Sequence, residues 1–115
     1  MRALVLSALS GLALAAAPAV QATTVATGWI RNEVVTQRSC VAMAQTMGRD
    51  LGFEVQANDI SVGLRGPDNE IIVVHCDAAP YIFFVASHDT KPADEVTALC
   101  DAVEARLSAL IDALP

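Results

Sequence analysis

Seven residues carry groups that could do covalent, acid–base or metal chemistry: Cys40, Cys76 and Cys100, the histidines His75 and His88, and the neighbouring carboxylates Asp77 and Asp89. A cysteine nucleophile needs a histidine within hydrogen-bonding reach and surroundings that favour the thiolate. His75 precedes Cys76 directly, but consecutive residues of a strand point to opposite faces, so the two side chains diverge. A metal site built from His75, Asp77, His88 and Asp89 would require strand ends to meet, and no pair among them has the spacing of a known zinc or calcium motif. Both histidines are more simply partly exposed strand-end residues. The stretch Gly63 to Gly66 lacks the strand, loop and helix context of a phosphate cradle, and no Ser/His/Asp arrangement emerges. No catalytic residue is assigned and no cofactor is expected; metal handling or thiol chemistry through His75, His88 and Cys100 is the alternative function.

The compartment decides what the cysteines do. Met1-Arg2 is followed by an apolar run from Ala3 to Ala17, then Pro18 and Ala19-Val20-Gln21-Ala22. A basic start, a hydrophobic centre and small residues before a cut make a secretory signal peptide, with cleavage expected after Ala22 or, next best, after Ala19. The run is shorter than the roughly 20 apolar residues of a spanning helix, so no stable membrane insertion is expected. Because the first cysteine is Cys40, a lipid-modified start is not expected either. Residues 1–22 are read as the leader, 23–38 as an N-terminal segment that can hold a strand, and 39–115 as one stapled domain, periplasmic or extracellular.

In an oxidising compartment two of three cysteines pair and one is left over. Cys40 opens a helix and Cys76 ends a strand, so a helix lying across the sheet would bring them within disulfide range; this is the preferred bond. Cys100 sits on an apolar stripe, where a thiol behaves as a small hydrophobe. A bond from Cys100 to Cys40 or Cys76, or an exposed thiol available for an intermolecular bridge, are the other arrangements.

Cys40, Met43, Ala44, Met47 and Leu51 recur at helical spacing over Ser39 to Leu51. Ser39 or Thr36 can cap this helix, and Gly52 can end it in a left-handed conformation. Ile60 to Arg65 alternates, a turn follows at Gly66-Pro67-Asp68-Asn69, and Ile71 to Cys76 is rich in β-branched residues, which together predict a hairpin. Tyr81 to Ala86 predicts a third strand, central and covered on both faces because it is almost continuously apolar. Val96, Leu99, Cys100, Val103, Leu107, Leu110, Ile111 and Leu114 follow a helical repeat within Pro92 to Leu114, with Thr90 or Asp89 as cap and Pro92 in the first turn. Gly28 to Val35 can form one more strand, anchored by Trp29 and Ile30. The expected fold is α+β in two layers, a mainly antiparallel sheet of 3–4 strands with two helices on one face, in the order β-α-β-β-β-α.

The Ser39-Cys40 helix start, the Gly52-Phe53 exit, a hairpin ending in Cys76, the strand Tyr81-Ile82-Phe83-Phe84-Val85-Ala86 and a closing helix resemble small secreted bacterial proteins that carry a helix-to-strand cysteine pair. The resemblance spans about Ser39 to Leu107. It implies a Cys40 to Cys76 bond and an α+β fold, with no activity attached. A net charge of −6, near −7 without Arg2, argues against nucleic acid and anionic lipid as partners and is compatible with a basic protein partner. The function expected is therefore non-catalytic, acting by protein binding, with self-association through a strand edge or apolar surface as a further route.

Overall fold

The computed structural model describes residues 23–115, so the leader expected over 1–22 lies outside the described residues. Seven elements follow in order: β1 (Thr24–Arg31), α1 (Gln37–Asp50), β2 (Glu54–Ala57), β3 (Ser61–Arg65), β4 (Ile71–Ala78), β5 (Tyr81–His88) and α2 (Ala93–Asp112). The strands form one antiparallel sheet in the order β1-β5-β4-β3-β2. The fold is α+β, with five strands where three or four were expected. The additional strand is β2, a four-residue edge paired with β3 among the described residues.

Helix α1 starts two residues before the expected Ser39. Thr36 is its cap: the Thr36 hydroxyl accepts from the Ser39 amide at 3.0 Å, while Ser39 Oγ accepts from the Thr36 amide at 2.9 Å. This reciprocal box satisfies two otherwise orphaned donors. At the other end Gly52 takes φ +75°, a conformation that costs glycine nothing, and turns the chain into β2. Gly48 lies inside the helix where a Cβ would run into the side chains of Leu64 and Val55. Its missing side chain lets the helix lie close on the sheet.

Helix α2 begins with Pro92 as its cap residue and no side-chain cap. The expected capping by Thr90 or Asp89 is not formed, and Pro92 stands one place before the first turn. Asp94 and Glu95 do occupy that turn, at the positive end of the helix dipole. The buried residues Val96, Cys100, Val103, Leu107 and Ile111 lie on one stripe, as the repeat predicts.

α2 packs on β1 and β5, and α1 on β4, β3 and β2. Both helices share one core with Val62, Leu64, Ile72, Val74, Ile82, Phe84 and Ala86. Cys40 and Cys76 are joined through this layer, with Cα atoms 5.6 Å apart and a separation of 36 in sequence. Cys100 is a free thiol buried in the same core.

Two expectations about exposure are corrected. β1 runs from Thr24 to Arg31 and not from Gly28 to Val35, and it alternates strictly, so Ile30 turns toward the helices while Trp29 is 59% exposed. β5 is central, between β1 and β4, but only Ile82, Phe84, Ala86 and His88 are buried; Phe83 is 42% and Tyr81 37% exposed. Two helices cover one face of this sheet, and nothing among the described residues covers the other.

Candidate functional site

The residues that chemistry would need are held apart. His75 is exposed on β4 opposite Phe83, whereas His88 ends β5 with its side chain buried on the helix side. Five residues of strand, roughly 16 Å, and the thickness of the sheet separate them. Asp77 and Asp89 follow the same division between the two ends. Among the described residues no three His, Cys, Asp or Glu side chains converge as metal ligands would. Cys76, in the disulfide, points away from His75 into the core.

His88 departs from the expectation of a partly exposed strand end, being only 7% exposed. Its Nδ1 accepts from the backbone amides of Thr90 and Lys91, each at 3.0 Å. The ring proton therefore sits on Nε2, which donates to the Asp68 carbonyl at 2.6 Å. One imidazole thus ties the 66–70 turn to the start of α2. Lys91 completes the tie, reaching Glu70 at 3.2 Å and Asp68 at 3.6 Å, while Glu70 Oε1 accepts from the Asp68 amide at 2.9 Å. Burial raises the Glu70 carboxyl, but the Glu70 and Asp68 amides together with Lys91 outweigh it and hold the group below its ordinary range. A depression of about 340 Å³ opens beside Glu70, His88, Lys91 and Leu99. Glu70, His88 and Lys91 are engaged with one another and with the 66–70 turn, Glu95 lies at its margin, and no cysteine or serine lines it.

The buried Cys100 thiol is raised above its ordinary range by burial first, then by the carboxylates of Asp101 and Glu104. A neutral, enclosed thiol is a poor nucleophile.

The uncovered face of the sheet is of a different character. Odd-numbered residues of β1, β5 and β4 bring Val25, Thr27, Trp29, Tyr81, Phe83, Val85, Ile71 and Val73 to it. Trp29 stands opposite Phe83, which stands opposite His75, which stands opposite Ser61, a row across four strands. Trp29 and Tyr81 approach with ring centroids 5.9 Å apart in a tilted pair, and Tyr81 stacks on Phe83 at the same distance. Arg31 lies over the Tyr81 ring at 5.7 Å and pairs with Glu33. Beyond this aromatic ridge the face falls away. Gly63 offers no side chain, and with Gln56, Glu54, Arg65 and Ile71 it lines a shallow hollow of about 290 Å³. That hollow continues over Ala57, Asn58 and Ser61.

Sequence reasoning placed Trp29 in the core and assigned Tyr81 and Phe83 no role. The signal was present in the period-two pattern of β5, whose odd and even positions are both apolar. The charges also divide between the two layers. On the outer side of α2 the exposed Asp94, Glu95, Asp101, Glu104 and Asp112 are opposed only by Arg106. On the open face Arg31 and Arg65 stand against Glu33, Glu54 and Asp77, a balance close to neutral. No helix among the described residues is long and apolar enough to cross a membrane. No protein-family model matches the chain, and no curated protein matches it significantly.

Proposed function

We propose that this chain is a small exported protein, periplasmic or extracellular after removal of its leader near Ala22, which acts without catalysis by binding a protein through the open face of its sheet. The observation that carries this reading is the Trp29, Tyr81 and Phe83 cluster, whose rings contact one another in solvent on paired strands with Val25 exposed on the same face, whereas Val34 and Ile60 are exposed singly in loops. Aromatic side chains fixed in this manner are the anchors that dominate protein interfaces, because they contribute large contact areas with little entropy left to lose. Export is supported by the leader-like first 22 residues and by a disulfide of the kind that persists in oxidising compartments. The likeness to small secreted bacterial proteins with a helix-to-strand cysteine pair supports the same reading. The metal or thiol alternative gains nothing from the geometry, which separates His75 from His88 and encloses Cys100.

The test uses protein isolated from the envelope and separated under native conditions. Wild-type chain is expected in a complex, and the Trp29→Ala/Phe83→Ala variant at the position of the free monomer with an unchanged circular dichroism spectrum. A folded variant that still runs in the same complex removes the open face as the contact surface.

A further inference from the structure

We infer that the occupant of the open face is a second copy of this chain, packed sheet against sheet about a twofold axis that runs along β4. This deepens the binding reading above and rests on it. Three features of the face lead to the assignment.

The first is charge. The open face is close to neutral, whereas the outer side of α2 carries five carboxylates and one arginine. Stacking two open faces sends both acidic helices to the outside of the assembly, as far apart as the layers allow. Pairing through the free edge of β1 would do the opposite, because α2 packs on β1 and β5 and the two acidic helices would meet side by side. A basic partner would be drawn to α2 and would have no reason to choose the neutral aromatic face.

The second is shape. A twofold contact must be self-complementary, so a ridge in one copy requires a hollow in the same surface. The ridge lies over β1 and β5, the hollow over β3 and β2, and β4 runs midway between them. Rotation about an axis along β4 exchanges β5 with β3 and β1 with β2. Phe83 of one copy then stands over Ser61 and Gly63 of the other, and Trp29 over Gln56 to Asn58, which line the hollow. His75, on β4 in the same row as Trp29 and Phe83, meets its own counterpart on the axis.

The third is area. Five strands about 4.8 Å apart, three of eight residues and two of four and five, give a face of roughly 520 Å² in projection. With the relief of its side chains, this approaches the ~800 Å² per partner of a standard interface. Two sheets packed at about 10 Å form an ordinary β-sandwich core.

Sedimentation equilibrium of the processed chain from about 1 to about 100 µM is the primary test. Twice the monomer mass is expected at the upper end, with the dissociation constant raised about 30-fold or more in Trp29→Ala, a substitution at an exposed position that leaves the fold intact. In a Cys100→Ser background, His75→Cys is expected to be joined between copies by a short bismaleimide, which spans the gap between two stacked sheets that a direct disulfide would not, while Ser108→Cys on α2 remains monomeric. A chain that stays monomeric throughout, or a dimer that cross-links through position 108 and not through 75, overturns the inference. These failures are separable from failure of the binding reading. A monomer whose Phe83 position still contacts a different protein in the envelope keeps the open face as a binding surface while removing the second copy as its occupant.

Discussion

Burial and neighbouring groups move the Cys100 thiol and the Glu70 carboxyl in opposite directions. Because burial raises the Cys100 thiol, alkylation at pH 8 is expected to be slow in the native protein and to reach the rate of a free thiol in denaturant, as followed by intact mass. The unfolded chain loses that proton at the ordinary thiol value and the folded chain only above it. The stability linked to Cys100 is therefore complete below the ordinary value and declines as pH rises through the raised one. Glu70 behaves in the opposite sense. Its carboxyl is held low, so its contribution is present above the ordinary carboxylate value and is lost as pH falls through the lowered one. Glu70→Gln should cost about 1–3 kcal/mol near neutral pH and flatten that acid limb, as read from urea midpoints across pH. Cys40 and Cys76 were legible as partners because one opens a helix and the other sits on a strand beneath it. His88 was not legible, since its burial depends on the Asp68 carbonyl 20 residues away, a contact that no local pattern encodes.

Helices and strands were legible where a single face has to be apolar. The α2 stripe and the β3–β4 hairpin were found because burial on one side leaves an unmistakable period. β2 was missed because four residues with only Val55 half-buried leave almost no pattern. The register of β1 was missed for a related reason. Hydrophobicity alone makes Trp29 a core anchor, and the pattern does not correct it: the covered even positions Thr24, Ala26, Gly28 and Ile30 are no more apolar than the odd Val25 and Trp29. Gly28 has the same logic as Gly48, since a Cβ there would run into the Phe84 ring. This packing reverses the effect expected of a helix glycine. Gly48→Ala gains up to about 1 kcal/mol in helix propensity but forces α1 away from Leu64 and Val55, so a net loss of about 1–2 kcal/mol is expected in equilibrium unfolding. Replacing Cys40 and Cys76 together by alanine opens a loop spanning 36 residues in sequence. The chain-entropy argument puts the loss at about 3–4 kcal/mol, enough to move the thermal midpoint of so small a domain by more than about 12 °C.

For the whole molecule, the decisive quantity was the number of apolar stripes available to cover the sheet. Two helices with one stripe each cover one face of a five-stranded sheet and leave none for the other. Among the described residues an apolar run such as Tyr81 to Ala86 therefore has only one side buried. The second apolar side of β5 is surplus to folding, which is the physical ground for assigning it to binding. The assignment separates stability from function. Trp29→Ala and Phe83→Ala should each lower the unfolding free energy of the monomer by about 1 kcal/mol or less, the loss of their cross-strand ring contacts, while weakening association about 30-fold or more. The core substitution Phe84→Ala should cost about 3–5 kcal/mol. The contrast between neighbours 83 and 84 is a direct readout of which face works and which face folds.

The most direct measurement is site-specific photocrosslinking in intact cells, with a photoreactive side chain placed at Phe83 on the open face and, in a matched chain, at Ala105 on the outer side of α2. The account predicts covalent protein adducts from position 83, whether with a second copy or with another protein, and none from position 105. Adducts from 105 with none from 83 would contradict it.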